Sequence, residues 1–326
     1  MSVLTVTFNP AIDQMVTLER LAPGEVHRAE SARCDAGGKG INVASCLADW
    51  GLTVSATGLL GRDNATIFED LFVAKNIADR FIRASGATRT NIKIVAGGQT
   101  TEINLPGVAA TPDCLEAVDR EADNAQDLVL LSGSLPQGCP TDHLAHLLVG
   151  LSARGLRVIV DSSGPALAAV LNGSRMPLCI KPNVEELEEW AGRPLRDIDD
   201  ILAIALELRA RGVGIVAVSM GERGALFCSD EGSVIASLSA SHIVSTVGAG
   251  DALVAGIIAA LSEGAKLERL AQLATAFAVG KLGLAGPNLP EREQVESLAS
   301  RVSLIWILRE QEEHRLEQTR LGTRRP

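Results

Sequence analysis

The sequence contains no tyrosine, and phenylalanine and tryptophan bring the aromatic share to only 3% of 326 residues. Hydrophobic residues nevertheless make up 46%, so a core built from this chain must be mostly aliphatic. The six cysteines (Cys34, Cys46, Cys114, Cys139, Cys179, Cys228) are scattered and form no C-x-x-C pair, which leaves zinc and thiol-redox motifs without support. His143 and His146 stand three apart with no third ligand nearby. Such a pair reads as surface or core histidines before it reads as a metal site. No apolar run is unbroken for long enough to suggest a membrane span, and no basic segment precedes an apolar one at the start of the chain. Positive charge is in deficit, with a formal net charge of -10. That argues against nucleic acid or an anionic membrane as partner and leaves a small anionic substrate open. The expectation is a soluble, cytoplasmic protein.

What the chain has in quantity is glycine, 31 residues, and one glycine-rich stretch organises the rest. In Ser245-Thr246-Val247-Gly248-Ala249-Gly250-Asp251, two glycines flank an alanine and a carboxylate follows at once. The uncharged run Ala252 to Leu261 then reads as a buried helix. A helix start presents unpaired N–H groups and partial positive charge, which suits an anion. Glycines let that backbone approach a phosphoryl group closely. A carboxylate at the lip of such a hole can take a proton from a hydroxyl while the amides hold the incoming phosphoryl group. The plain alternative is a turn capped by Asp251. The helix dipole is expected to keep the Asp251 pKa low.

A second glycine-rich loop, Asp35-Ala36-Gly37-Gly38-Lys39-Gly40-Ile41-Asn42, opens a helix near the other end of the chain. It lacks the spacing of a Walker A loop or a dinucleotide fingerprint. Lys39 and Asn42 can contact phosphate and hydroxyls from it. Before it, Val3 to Phe8 reads as a buried strand, and Asp13 follows just past its end, where a sugar-binding acid or a solvated loop acid would both fit. Met15 to Ser31 reads as an exposed hairpin. Ile92 to Leu105, with Gly97-Gly98 at its centre, reads as another. Two such hairpins suggest a small separate sheet acting as a lid. Arg89, at the entrance to the second, can clamp a phosphate or sit solvated on a sheet edge.

From Asp127 strands and helices alternate at a spacing that predicts a mainly parallel sheet with helices on both faces. Polar residues recur at its strand ends, on one rim. Asn183 and Glu186 share a face of a first helical turn. They can serve a hydrated magnesium ion or simply form a capping box. Gly221-Glu222-Arg223-Gly224 is a turn between strands whose glycines can admit a nucleotide.

The two glycine loops resemble the paired signatures of the ribokinase-like (pfkB) carbohydrate kinase family. Asn9-Pro10-Ala11-Ile12-Asp13, Thr88-Arg89-Thr90-Asn91, Leu131-Ser132-Gly133-Ser134-Leu135-Pro136, Lys181-Pro182-Asn183 and Glu186 stand in an order similar to its 1-phosphofructokinase branch. The resemblance runs from about Val3 to Gly286. It implies an α/β ribokinase-like fold with a β-sheet lid, and ATP with Mg2+. The implied reaction converts D-fructose 1-phosphate to fructose 1,6-bisphosphate. A kinase of a neighbouring ketohexose phosphate such as tagatose 6-phosphate, or a non-catalytic sugar-phosphate sensor, are the other readings.

Carried over by motif, Asp251 is the catalytic base and the Gly248, Ala249 and Gly250 amides form the anion hole. Asp13, Gly38, Asn42 and Ser134 hold the sugar phosphate, with Lys39 and Arg89 as candidates for its phosphate. Lys181, Asn183, Ser219, Gly221, Gly224 and Thr246 face the nucleotide, and Glu186 serves the metal. Serine at 245, where many sugar kinases carry an acid, is usual in this branch. The kinase domain is expected over 1–300, with lid hairpins around 15–31 and 91–105. The charged tail, 301–326, is read as an exposed helix or a disordered end. A homodimer through the lid is kept open.

Overall fold

The computed structural model describes residues 1–307. Strand β1 (Ser2–Thr7) is followed by β2 (Ala11–Leu18), β3 (Ser31–Gly37) and helix α1 (Lys39–Asp49). Then come β4 (Thr53–Gly61), α2 (Thr66–Lys75), the short β5 (Ala78–Asp79) and β6 (Ile82–Ala84), β7 (Arg89–Ala96), β8 (Gln99–Asn104) and α3 (Pro112–Asp123). The regular stretch holds β9 (Leu128–Ser132), α4 (His143–Ala153), β10 (Arg157–Asp161), α5 (Gly164–Leu171), β11 (Cys179–Ile180), α6 (Val184–Ala191), α7 (Ile198–Ala210) and β12 (Ile215–Ser219). Strands β13 (Ala225–Ser229) and β14 (Gly232–Ser237) precede α8 (Ala249–Ser262), α9 (Leu267–Leu282), α10 (Arg292–Ala299) and β15 (Ser303–Ile307).

The main sheet runs β15-β14-β13-β12-β11-β10-β9-β1-β4-β5, with β6 also on β4. Every pairing from β12 across to β4 is parallel, and β13, β14 and β15 add an antiparallel edge. Both faces are covered, so the central strands read as unbroken apolar runs whose side chains alternate between two cores. Leu128, Leu130 and Ile159 pack with α1, α8 and α9, while Val129, Leu131 and Val160 pack with α4, α5 and α7. All six phenylalanines are buried in these otherwise aliphatic cores. Because the strands are parallel, their C-terminal ends share one rim, and the polar strand-end residues gather there. No helix among the described residues is long and apolar enough to cross a membrane.

The second sheet has the order β3-β2-β7-β8. Gly97 and Gly98, with φ of 55° and 77°, close the β7–β8 hairpin in the left-handed turn that two-residue connections favour. The first hairpin is displaced from its expected position at 15–31. Its paired strands are Ala11–Leu18 and Ser31–Gly37, and most of 19–30 is connection. One face of these strands carries Asp13, Arg33 and Asp35 beside Met15, so hydrophobic alternation does not mark their ends. The tail also begins later than expected. Ser303–Ile307 pair with β14 as the sheet's edge strand, because Leu304-Ile305-Trp306-Ile307 is an apolar run ahead of the charged residues. Residues 308–326, the rest of the expected tail, lie outside the described residues.

Helix α8 packs along α9 closely enough that a Cβ on Gly256 would lie 2.5 Å from the Ala274 Cα and 2.9 Å from the Leu273 carbonyl oxygen. Gly256→Ala is therefore expected to destabilise the protein by ~1–3 kcal/mol, the usual cost of overpacking. Gly150, inside α4 with nothing within 4 Å of its Cβ position, should gain roughly 0.5–1 kcal/mol from the same substitution. Urea midpoints of the two variants against the parent measure both signs. Equal shifts would remove close helix contact as the reason for Gly256.

Candidate active site

Helix α8 starts after Gly248, whose φ of 80° is left-handed. The Ala252 N–H donates to the Gly248 carbonyl at 2.8 Å, closing the first turn around Gly250 and Asp251. The loop before it is held to α9: the Val244 N–H donates to the Leu282 carbonyl at 2.7 Å, and the Val247 N–H to the Ser245 Oγ at 3.2 Å. Ser245 thus shapes the loop. The Ala249 N–H makes only a long bond, 3.4 Å, to Thr246 O.

Asp251 is buried, and its Oδ2 accepts a 2.7 Å hydrogen bond from Asn42 Nδ2. One contact therefore joins the two glycine loops, 209 residues apart. The expectation of a low pKa is overturned. Burial first, and then the Asp161 carboxylate, push Asp251 up from 3.8 to about 6, against the Asn42 hydrogen bond and the Lys39 and Lys181 charges. Desolvation outweighs the helix start because the carboxyl is buried, the residue keeping 8% of its exposure.

Asp161 ends β10 at 1% exposure. Its Oδ1 meets Lys39 Nζ at 3.0 Å and Lys181 Nζ at 3.4 Å, and its Oδ2 is buried without a hydrogen-bond partner. Lys39 also lies 3.9 Å from Glu186 Oε1. Burial acts to lower the Lys39 pKa, but Asp161, Glu186 and Asp251 overcome it and hold the ammonium above its ordinary value. Lys181 Nζ stands 3.6 Å from where a Gly250 Cβ would be, so this charge array reaches the first turn of α8.

Two cavities meet at that turn. The larger, about 970 Å³, is lined by Asn183, Ser219, Gly221, Gly224 and Thr246, five of the six residues expected to face a nucleotide, and by Ala249 and Gly250. The smaller lies under the second sheet and is lined by Asp13, Asn42, Lys93, Gly248 and Lys281 among others. Glycine is required beside it. A Cβ on Gly37 would fall 2.5 Å from Asp13 Oδ2, and one on Gly38 would fall 3.0 Å from the Pro10 Cα.

Arg89 and Lys39, expected together, are engaged separately. Arg89 donates to the Asn9 carbonyl at 3.2 Å and the Pro10 carbonyl at 3.3 Å, and its pKa is lowered by burial. Asn9 Nδ2 donates to Ser134 Oγ at 3.1 Å, so Arg89 and Ser134 share one corner. Lys39 belongs instead to the acids of the rim.

Glu186 does form the capping box. Its Oε2 accepts from the Asn183 N–H at 2.9 Å, and Asn183 Oδ1 accepts from the Glu186 N–H at 2.7 Å. Among the described residues no group of three or more His, Cys, Asp or Glu is placed to hold a metal ion. Glu186 Oε1 is left outside the capping box, 3.9 Å from Lys39 Nζ, and a single carboxylate oxygen of this kind suits a magnesium ion held mainly by phosphates and water.

Known proteins resemble this chain over most of its length. The profile of the pfkB family carbohydrate kinases matches residues 6–293. The chain is 50% identical over 290 residues to the 1-phosphofructokinase of Xanthomonas campestris, covering 86% of this chain and 90% of that one. It is 45% identical over 308 residues to the 1-phosphofructokinase of Rhodobacter capsulatus, covering 93% and 97%. The crystal structure of phosphofructokinase-2 from Escherichia coli in complex with substrates and products superposes with a TM-score of 0.86 at 28% identity, covering 92% of this chain and 99% of that one. The chain belongs to the pfkB family of carbohydrate kinases.

In this pfkB kinase the sequence reading passed over Asp161, Lys93 and Lys281. Asp161 carried a usable signal, since it ends a strand on the same rim as Ser132 and Lys181. Lys281 closes an apolar helix and is 2% exposed, with its pKa lowered by burial. Only packing reveals it.

A carboxyl whose pKa rises from 3.8 to about 6 on folding favours the folded state below pH 3.8 and loses that contribution as pH climbs through 6. Asp251→Asn is free of this loss. Its stability relative to the parent should therefore increase between pH 4 and pH 7, by on the order of 2–3 kcal/mol. Denaturant titrations of both proteins across that range measure the difference, and a flat difference would mean that Asp251 is ionised throughout.

Proposed function

We propose that this kinase transfers the γ-phosphoryl group of ATP to the 6-hydroxyl of D-fructose 1-phosphate, giving D-fructose 1,6-bisphosphate and ADP. The observation that carries the reading is the position of Asp251: a buried carboxyl at the helix start that stands between the larger cavity, walled by Ala249 and Gly250, and the smaller one, walled by Gly248 and Asn42. The choice of sugar rests on the similarity to proteins named 1-phosphofructokinase.

In this reading the adenine nucleotide lies along Asn183, Ser219, Gly221, Gly224 and Thr246. The sugar is held by Asp13, Gly38 and Asn42, with its own phosphate at Arg89 and Ser134. As the 6-oxygen attacks the γ-phosphorus, its proton passes to Asp251 and the bond from that phosphorus to the bridging oxygen of ADP breaks. A base with a pKa near 6 is well matched to this work, because it is ionised at neutral pH yet still takes a proton readily. The α8 amides hold the phosphoryl oxygens at the moment their charge redistributes. Lys39, committed to Asp161 and beside Asp251, is assigned to the transferring group rather than to the sugar's phosphate. The formal charges of Lys39, Lys181, Asp161, Asp251 and Glu186 sum to -1 before a polyphosphate arrives, so the residues alone cannot neutralise it. Mg2+ near Glu186 would supply that neutralisation. The outer strand of the small sheet, β8, is exposed along its length with Ile103 at its end, and it is the edge through which a second copy would pair.

Asp251→Asn keeps the shape of the site but cannot accept the proton. Its kcat should fall by ~10²–10⁴, the usual range for lost general-base help. The kcat/KM of the parent should decline below about pH 6, and that limb should vanish in the variant. Single-turnover transfer across a pH series reads both effects, and a folded variant with parental turnover would remove Asp251 from the chemistry.

Arg89→Ala should raise the KM for the sugar phosphate, with a loss of ~2–5 kcal/mol for a charged phosphate partner, and leave ATP binding nearly unchanged. Steady-state kinetics over a panel of fructose, fructose 1-phosphate, fructose 6-phosphate and tagatose 6-phosphate tests this and the substrate together. Preference for unphosphorylated fructose would defeat the assignment.

A further inference from the structure

Strands β2 and β7 run parallel in the small sheet, with Asp13 beside Asn91 and Met15 beside Lys93. Asn91 and Lys93 are two apart on one strand, so they share a face with Asp13, and Asp13 and Lys93 line the smaller cavity. Lys93 is 7% exposed. Its cross-strand neighbour on the other side is Glu102, an exposed acid on β8. The ammonium nevertheless turns inward to Asp13, with Nζ 3.5 Å from Oδ1.

That contact is long, and it is the one polar contact of Lys93 recorded among the described residues. An ammonium has three N–H donors, and burying it with so few acceptors is costly unless something else completes them. Asp13 Oδ1 already accepts from Asn91 Nδ2 at 3.3 Å, and Oδ2 lies over Gly37, where no side chain intrudes. Asn91 Oδ1 is buried without a partner. The face therefore offers a carboxylate oxygen, spare ammonium donors and an orphan amide oxygen within one small space. A hydroxyl group, which donates one hydrogen bond and accepts two, matches that set.

We propose that Lys93 is a substrate-binding residue of this kinase. Lys93 and Asp13 grip one ring hydroxyl of the sugar phosphate, the carboxylate accepting its hydrogen bond and the ammonium donating to its oxygen. The grip fixes affinity for the sugar and not for the nucleotide. Lys281, across the cavity on α9, is turned to the Leu284 carbonyl at 3.1 Å and does not share the grip. The assignment rests on the sugar-kinase reading above.

The test measures kcat and KM for ATP, for whichever sugar phosphate of the panel the parent prefers, and for its 3-deoxy and 4-deoxy analogues. The proteins are the parent, Lys93→Met and Lys93→Arg, each with a thermal melt. A hydrogen bond to a charged group corresponds to ~10–100-fold in affinity. Lys93→Met is expected to raise the sugar-phosphate KM by about that factor, with kcat changed less than KM and the ATP KM within about twofold. Lys93→Arg should fall between. For the analogue lacking the gripped hydroxyl, the parent and Lys93→Met should converge. Should Lys93→Met fail to fold, Lys93→Gln, which keeps a donor without the charge, is read by the same criteria. An equal loss with the parent sugar and both analogues would reduce Lys93 to a support of the lid and overturn the proposal, as would an unmoved KM. If the parent phosphorylates nothing in the panel, the kinase reading fails and takes this assignment with it. If the parent is active and only the Lys93 effect is missing, this assignment alone fails.

Discussion

A carboxylate with almost no exposure must be paired, because an isolated charge in the interior is far costlier than the pair it can form. Asp161 meets that constraint with two lysines from separate parts of the chain, Lys39 at the start of α1 and Lys181 just past β11. The pairing draws the first glycine loop and two strand ends onto one point of the rim. It also sets the environment of Asp251, whose carboxyl is pushed up by burial and by Asp161 and drawn back by the same two lysines. Removing either lysine would alter the proton affinity of a residue it does not touch.

Parallel topology is what makes this convergence available. β1, β4, β9, β10, β11 and β12 all end on one side, so residues far apart in sequence become neighbours without any long loop. Helix α8 then enters the rim from outside the alternating pattern. Its close packing on α9, allowed by Gly256, fixes how deep its first turn sits. Asn42 locks that turn to α1. The depth of the turn is therefore decided in the core, by aliphatic packing, and spent at the site as the burial of one carboxyl.

Much of this was legible in the sequence because it is written in backbone requirements. Gly37, Gly38 and Gly248 mark positions where a side chain would collide or the chain turns left-handed, and that need shows in one sequence. Asn183, Ser219, Gly221, Gly224 and Thr246 were placed together by the resemblance to the family's motifs, and they line one cavity because strand ends in a parallel sheet share a rim. Quantities set by three-dimensional enclosure were not legible. The helix start at Asp251 suggested a low pKa, whereas desolvation by the folded chain decided the opposite. Lys39 read as a ligand of the sugar's own phosphate because its acid partners, Asp161 and Glu186, are more than a hundred residues away. Lys93 was invisible for a related reason. Its strand carries polar residues on the inner face, so alternation of apolar and polar types could not tell the buried side from the wet one.

The polar inner face of the small sheet has a consequence for how the site excludes water. Asp13, Asn91 and Lys93 cannot be covered by an apolar surface without leaving donors and acceptors unpaired. The sheet lies over the smaller cavity with the Asn91 Oδ1 still unsatisfied. A ligand that supplies hydroxyls at that height would relieve the deficit, and an apolar molecule of the same size would deepen it. Any closure of the sheet over the Asp251 turn would therefore be favoured by a polyhydroxylated ligand. The same groups that select the sugar would then keep water away from the phosphoryl group until a sugar is there to receive it.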